Sequence, residues 1–128
     1  MRVKIYTSLL TGMIVLLSGN SATAHHGRAA YTSDLLEVKA TIIEFRFINP
    51  HVQVMFDFTD ANGEVQHWHG ELTAPNRMAR GGWTKNSLQP GDKVTFTGFT
   101  ARNKGKAMVI RKMVLPDGTD VPLRETLE

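Results

Sequence analysis

The chain has 128 residues, about one domain's worth. It contains no cysteine, which excludes disulfide scaffolds, thiolate zinc sites, haem-attachment motifs and cysteine nucleophiles. Fifteen Lys and Arg against twelve Asp and Glu give a net charge of +3, and five histidines are the count that points most directly to chemistry.

Residues 1–24 read as a cleaved secretory signal. Arg2 and Lys4 supply the positive start, Ile5 to Leu17 is a mostly apolar run, and Ala22-Thr23-Ala24 is a small-x-small cleavage site. The apolar run is shorter than the roughly 20 residues of a membrane span, so the expected product is periplasmic or secreted with no stable membrane anchor. Cleavage after Ala24 leaves 104 residues, enough for one small core, and removes Arg2 and Lys4, which lowers the charge to +1. A charge that small gives little electrostatic reason to hold nucleic acid.

The mature chain divides into a histidine-containing segment, residues 25–37, and a β domain, residues 38–128. The alternation from Val38 predicts a first strand with Thr41, Ile43, Phe45 and Phe47 on one face and Ile42, Glu44, Arg46 and Ile48 on the other. Asn49-Pro50 interrupts it, since proline lacks an N–H and restricts its predecessor. In the second strand Val52, Val54, Phe56 and Phe58 share one face, with His51, Gln53, Met55 and Asp57 opposite. Asp60-Ala61-Asn62-Gly63 is a turn leading into a third strand, Glu64 to Thr73. A three-residue loop there sets Asp60 opposite Glu64, Asp57 opposite His67 and Met55 opposite His69. Slipping by one residue would bury both histidines among valine and phenylalanine.

Pro75 to Arg80 predicts one short helix ended by Gly81-Gly82, with Trp83 as a core plug behind it. Lys93 to Thr100 and Ala107 to Leu115 complete five strands, with Val94, Phe96 and Gly98 on one face of the fourth. Met108 and Met113 have opposite parity in the fifth, and the last residues form a polar tail or a short edge strand. Three strands, a helix and two strands is the element order of an all-β, five-stranded OB-like Greek-key barrel, with the helix between strands 3 and 4.

Histidine carries the candidate chemistry. Cleavage makes His25 the amino terminus, where the α-amine and ring Nδ1 form a two-nitrogen chelate, and one more histidine completes a three-nitrogen site. His26 follows directly. His67 and His69, at i and i+2 on a strand, point the same way with Cβ atoms roughly 6–7 Å apart, so their rings can converge on one ion. Asp57 and Met55 stand across from them as possible ligands or orienters. His51 lies on the same face but roughly 13 Å from Met55. The candidate metal ligands are therefore His25, His26, His51, His67 and His69, for copper first, since imidazole suits it and it leads the affinity order, with zinc as alternative. The plainer reading makes His25-His26 a polar start, His67 and His69 solvent-facing strand residues, and His51 a bend residue. No catalytic constellation stands out, since Glu71 is the sole candidate base near the histidines and Ser33 and Ser87 have no nucleophile-elbow context. Arg77, Arg80, Lys85, Lys104, Lys106, Arg111 and Lys112 read as a solvated basic rim.

The Ala-His-His-Gly start, Phe45-Arg46-Phe47-Ile48-Asn49-Pro50-His51, Trp68 and Glu71 with Pro75, Arg80-Gly81-Gly82-Trp83, Leu88-Gln89-Pro90-Gly91-Asp92 and Leu115-Pro116-Asp117-Gly118 resemble an uncharacterised family of small exported bacterial proteins, a domain of unknown function. The resemblance implies location and a barrel fold; it supplies no substrate and no catalytic residue. The expected function is binding of a transition-metal ion for storage, delivery or sensing. The alternative is a metal-independent accessory module that binds a partner protein or glycan on the face of strands 2 and 3.

Overall fold

A computed structural model describes residues 30–123. The architecture is all-β: β1 (Tyr31–Arg46), β2 (Gln53–Thr59), β3 (Val65–Glu71), a helix α1 (Pro75–Arg80), β4 (Lys93–Ala101), β5 (Ala107–Val114) and β6 (Asp120–Val121). Hydrogen bonding runs β3-β2-β1-β4-β5-β6, and a parallel pairing of β3 with β5 closes the first five strands into a ring. The sixth strand is the two-residue edge that the tail was expected to supply. No helix among the described residues is long and apolar enough to cross a membrane.

Inside the ring lie Val38, Ala40, Ile42, Val54, Phe56, Val94, Phe96, Met108, Ile110 and Met113, all buried. Phe56 and Phe96 meet edge to face with centroids 5.2 Å apart, an arrangement that adds about 0.5–1.5 kcal/mol beyond area burial. The ring closes only because Gly70 has no side chain: a Cβ there would stand 2.5 Å from Ile110 Cδ1 and 2.9 Å from Val54 Cγ1. Met78 on α1 and Trp83 just after it are buried together, as expected of a helix and plug that cover one end of the core.

The β2–β3 register is the one the alternation predicts. Asp57 pairs with His67 and Met55 with His69, and Asp60 N donates to Glu64 O at 2.9 Å. Register shifts occur at three places, one of them between Tyr31 and Leu35 against β4, and two reset the core alternation. In β1, Ile42 pairs with Phe56 and Glu44 with Met55, leaving Ile43 as the extra residue. Ile42 is therefore buried and Ile43 exposed, so Ile43 does not share a face with Phe45 and Phe47, which pack against the core. In β5, Thr97 pairs with Lys112 and Gly98 with Ile110, leaving Arg111 as the extra residue. That insertion changes parity midway, so Met108 and Met113 both enter the core, and Arg111 and Lys112 both face outward. Gly98 allows it, because a Cβ there would collide with the backbone of Val109 and Ile110.

Two ends also differ from expectation. β1 begins at Tyr31, seven residues before Val38, because Tyr31 to Thr41 pair along β4. β3 stops at Glu71, after which Val52 and Leu72 exchange backbone bonds with residues outside the strands. The interruption at Asn49-Pro50 is a cis peptide bond.

Candidate functional site

The outer face of β2 and β3 carries His67 and His69, and His51 stands in the bend just before β2. Alternation places Asp57, Met55 and Gln53 on β2 opposite His67, His69 and Glu71 on β3. Tethering by the hairpin turn holds this face in register: Asp60 accepts backbone N–H bonds from Asn62 at 2.9 Å and Glu64 at 3.0 Å. Those donors, with the Gln66 amide, hold the Asp60 carboxyl below its ordinary value.

At one end of the face His67 Nδ1 lies 2.5 Å from Asp57 Oδ1. The carboxylate accepts, so Nδ1 carries the proton and Nε2 is the ring nitrogen left for a ligand. His69 is two residues on; its backbone N–H donates to Lys106 O, while its ring Nε2 is buried without a hydrogen-bond partner among the described residues. A buried polar atom left unpaired costs about 1–3 kcal/mol, which marks the ring as an unfinished contact. Around these side chains lies a hollow of about 390 Å³ lined by Ile43, Met55, Trp68, His67, His69 and Lys106. Ile43 reaches it because the β1 bulge turns that residue outward.

At the other end His51 Nδ1 lies 2.5 Å from Glu71 Oε1. The Tyr31 hydroxyl lies near the same Glu71 carboxylate. Burial first, and the Glu71 charge and hydrogen bond second, push the Tyr31 hydroxyl above its ordinary value. His51, Glu71 and Tyr31 thus cluster where the bend before β2, the end of β3 and the start of β1 meet, with the His51–Glu71 contact at the centre. That contact borders a cleft of about 660 Å³ whose walls include Thr73, Arg77, Arg111 and Val121. Arg77 and Arg111, assigned from sequence to a solvated rim, thus share one concavity, and no carboxylate among the described residues lies within ion-pair distance of either. Arg111 instead stands 5.8 Å from the centroid of the Phe99 ring.

Of the five candidate ligands, the structure brings His67 and His69 to one hollow and sets His51 apart on Glu71. His25 and His26 lie outside the described residues. No group of three or more His, Cys, Asp or Glu side chains able to hold a metal ion occurs among the described residues. Tyr31 is the residue that sequence reasoning missed. Its signal was available only as a lone aromatic before a strand that was read as starting later.

No curated protein and no solved structure matches this chain. The model of the family of unknown function (DUF6152) matches residues 13–110, which include the whole face from Tyr31 through Glu71, and the chain belongs to that family.

Proposed function

We propose that this is an exported, periplasmic protein, processed after Ala24, that uses an OB-like Greek-key barrel to present histidines to a transition-metal ion, copper first and zinc as the alternative. Its role is storage, delivery or sensing rather than catalysis. The observation that carries the reading is that His51 and His67 each have Nδ1 fixed by a carboxylate at 2.5 Å. A carboxylate on one ring nitrogen orients the ring and makes the other a better ligand, which is the usual arrangement behind metal-bound histidine. The ring closure β1-β2-β3-β5-β4 and the placement of α1 between β3 and β4 support the barrel reading.

The test is a calorimetric titration of the processed 104-residue protein with Cu(II) and Zn(II), beside a variant with all five histidines replaced by alanine. At least one ion equivalent bound by the first and lost in the second is the expected result. Equal behaviour of the two proteins, or no uptake by either, overturns the reading.

A second reading, a metal-independent module for a partner protein or glycan, is favoured by the exposed Ile43 beside Met55, Trp68 and Lys106 in the 390 Å³ hollow. Partner capture that persists in EDTA and in the histidine-free variant would support it over metal binding.

A further inference from the structure

The cleft beside His51 and Glu71 combines an aliphatic lining with an excess of positive charge. Its volume of about 660 Å³ lies within the roughly 300–1,000 Å³ of small-ligand sites. Leu72, Val109, Ile110, Val121 and Leu123 supply the apolar part, and Leu72 and Ile110 are buried in the core beneath it. No Phe, Tyr or Trp occurs among its described lining residues, so it offers no aromatic ring on which a nucleobase or a sugar could stack. The charged side chains fall into two groups. Lys112 Nζ lies 3.2 Å from Asp120 Oδ1, and His51 Nδ1 lies 2.5 Å from Glu71 Oε1, so these four are partnered within the cleft. Arg77 and Arg111 are both exposed, and neither has a carboxylate among the described residues at ion-pair distance. With His51 neutral, three cationic side chains face two carboxylates, a surplus of one positive charge.

The fold goes out of its way to bring the two arginines here. Regular alternation along β5 would send Arg111 and Lys112 to opposite faces. The bulge at Arg111 turns both outward, as bulges do where a side chain is re-aimed, and Gly98 on β4 makes room for it. Arg111 Cζ stands 5.8 Å from the Phe99 ring centroid, a contact that engages the flat face of the guanidinium and leaves its N–H edges to donate. Arg77 arrives from α1, where the next residue, Met78, is buried and holds the helix against the core. A guanidinium matches a carboxylate with two parallel N–H bonds. Glu71 and Asp120 in the same cleft oppose a second negative charge, so the surplus suits a monoanion better than a phosphate dianion.

We infer that this cleft binds a monocarboxylate with an aliphatic chain, a ligand of the fatty-acid class. The carboxylate is held by Arg77 and Arg111, and the chain lies over Leu72, Ile110 and Val121. This goes beyond the metal-binding reading and does not depend on it, since no histidine nitrogen holds the ligand.

Calorimetry of the processed protein in EDTA compares three probes: sodium octanoate, 1-octanol, which has the chain without the charge, and sodium acetate, which has the charge without the chain. Octanoate is expected to bind at least about tenfold more tightly than either. That comparison uses the unsubstituted protein and stands whatever the stability of any variant. Arg77→Gln/Arg111→Gln should weaken octanoate by at least about tenfold, while Lys39→Gln/Lys85→Gln, which removes two charges elsewhere, should leave it within about threefold. Thermal melting establishes that both are folded, and amide NMR shifts caused by octanoate should centre on Thr73, Arg111 and Val121. Octanoate binding no tighter than 1-octanol or acetate overturns the proposal. So do equal losses in the two double variants, shifts centred on Met55 and His67 instead, or no uptake of octanoate at millimolar concentration.

Discussion

Two histidine–carboxylate pairs stand at the two ends of the β2–β3 hairpin, with the same 2.5 Å separation, and their surroundings differ. His67 is 77% exposed and its Asp57 serves it alone, whereas His51 is 46% exposed and its Glu71 also lies near Tyr31. The first pair belongs to a hairpin: both residues sit on adjacent strands ten positions apart, and the turn alone sets their spacing. The second sits at the open end of the same ladder, where Leu72 N donates to Val52 O and Val52 N to Thr73 O, and it has Tyr31 of β1 beside it as well. One pair is thus set by the hairpin alone, and the other lies where the hairpin meets the start of β1. The second pair is accordingly the one whose surroundings report on closure of the ring.

Substitutions can pull these two regions apart. The largest effect is expected from Gly70→Ala, which lies between His69 and Glu71 and would force a methyl group into Ile110, Val54 and Phe56. Overpacking of this kind costs about 1–3 kcal/mol, measurable as a lowered midpoint in urea unfolding. Because β3 pairing with β5 is what it strains, the His51–Glu71–Tyr31 cluster should loosen before the hairpin pair does, which side-chain NMR of the two histidines would follow. Next comes Glu71→Gln against Asp57→Asn. Loss of the carboxylate behind a metal-bound histidine typically weakens the ion by about 10–100-fold, so whichever of Glu71→Gln and Asp57→Asn lowers Cu(II) affinity on that scale identifies the pair that holds the ion.

A smaller effect separates the pairs without any metal. The sequence has two tyrosines, Tyr6 and Tyr31, so in a protein prepared from residue 25 onward absorbance at 295 nm reads Tyr31 alone. Its folded-state ionisation lies above the ordinary tyrosine value, so its contribution to stability is present below that value and is lost as pH rises through the raised one. Glu71→Gln should bring the midpoint part of the way down, because burial is the larger cause, and Asp57→Asn should not move it. The smallest expected effect is Asp60→Ala at the hairpin. The Asp60 carboxyl is held below its ordinary value, so its contribution is present above the ordinary carboxylate range and is lost as pH falls through the lowered one. The difference in melting temperature from the parent should be visible near neutrality and vanish in strong acid, with Tyr31 ionisation untouched.

The contrast between the pairs also explains what could be read from the residues. The Asp57–His67 and Met55–His69 pairings follow from a hairpin loop and from the rule that a slip of one residue exchanges the faces. Trp83 behind α1 was legible for the same local reason. The faces of Ile43 and of Met108 with Met113 were not, because a bulge inserts one residue without any composition signal of its own. The nearness of Tyr31 to Glu71 was hidden by distance in sequence, since only β3–β5 closure and β1–β4 pairing bring them together, whereas His51 reaches Glu71 past the end of β2, where the hairpin ladder continues through Val52. The end of β1 was misjudged because its first residues gain their bonds from β4, some seventy positions on, rather than from their own alternation.

One contact made outside both pairs governs the cleft next to the second. Trp83 Nε1 donates to Pro122 O at 2.7 Å, and Val121, Pro122 and Leu123 form the cleft's far wall. That wall is also held by the short β5–β6 hairpin, which Leu115 N closes on Thr119 O, by the Lys112–Asp120 ion pair and by packing of Val121 and Leu123 against the core. The indole is thus a plug on its ring side and a latch on its nitrogen side. The gap opposite His51 and Glu71 is braced from across the cleft by a donor atom on a distant residue.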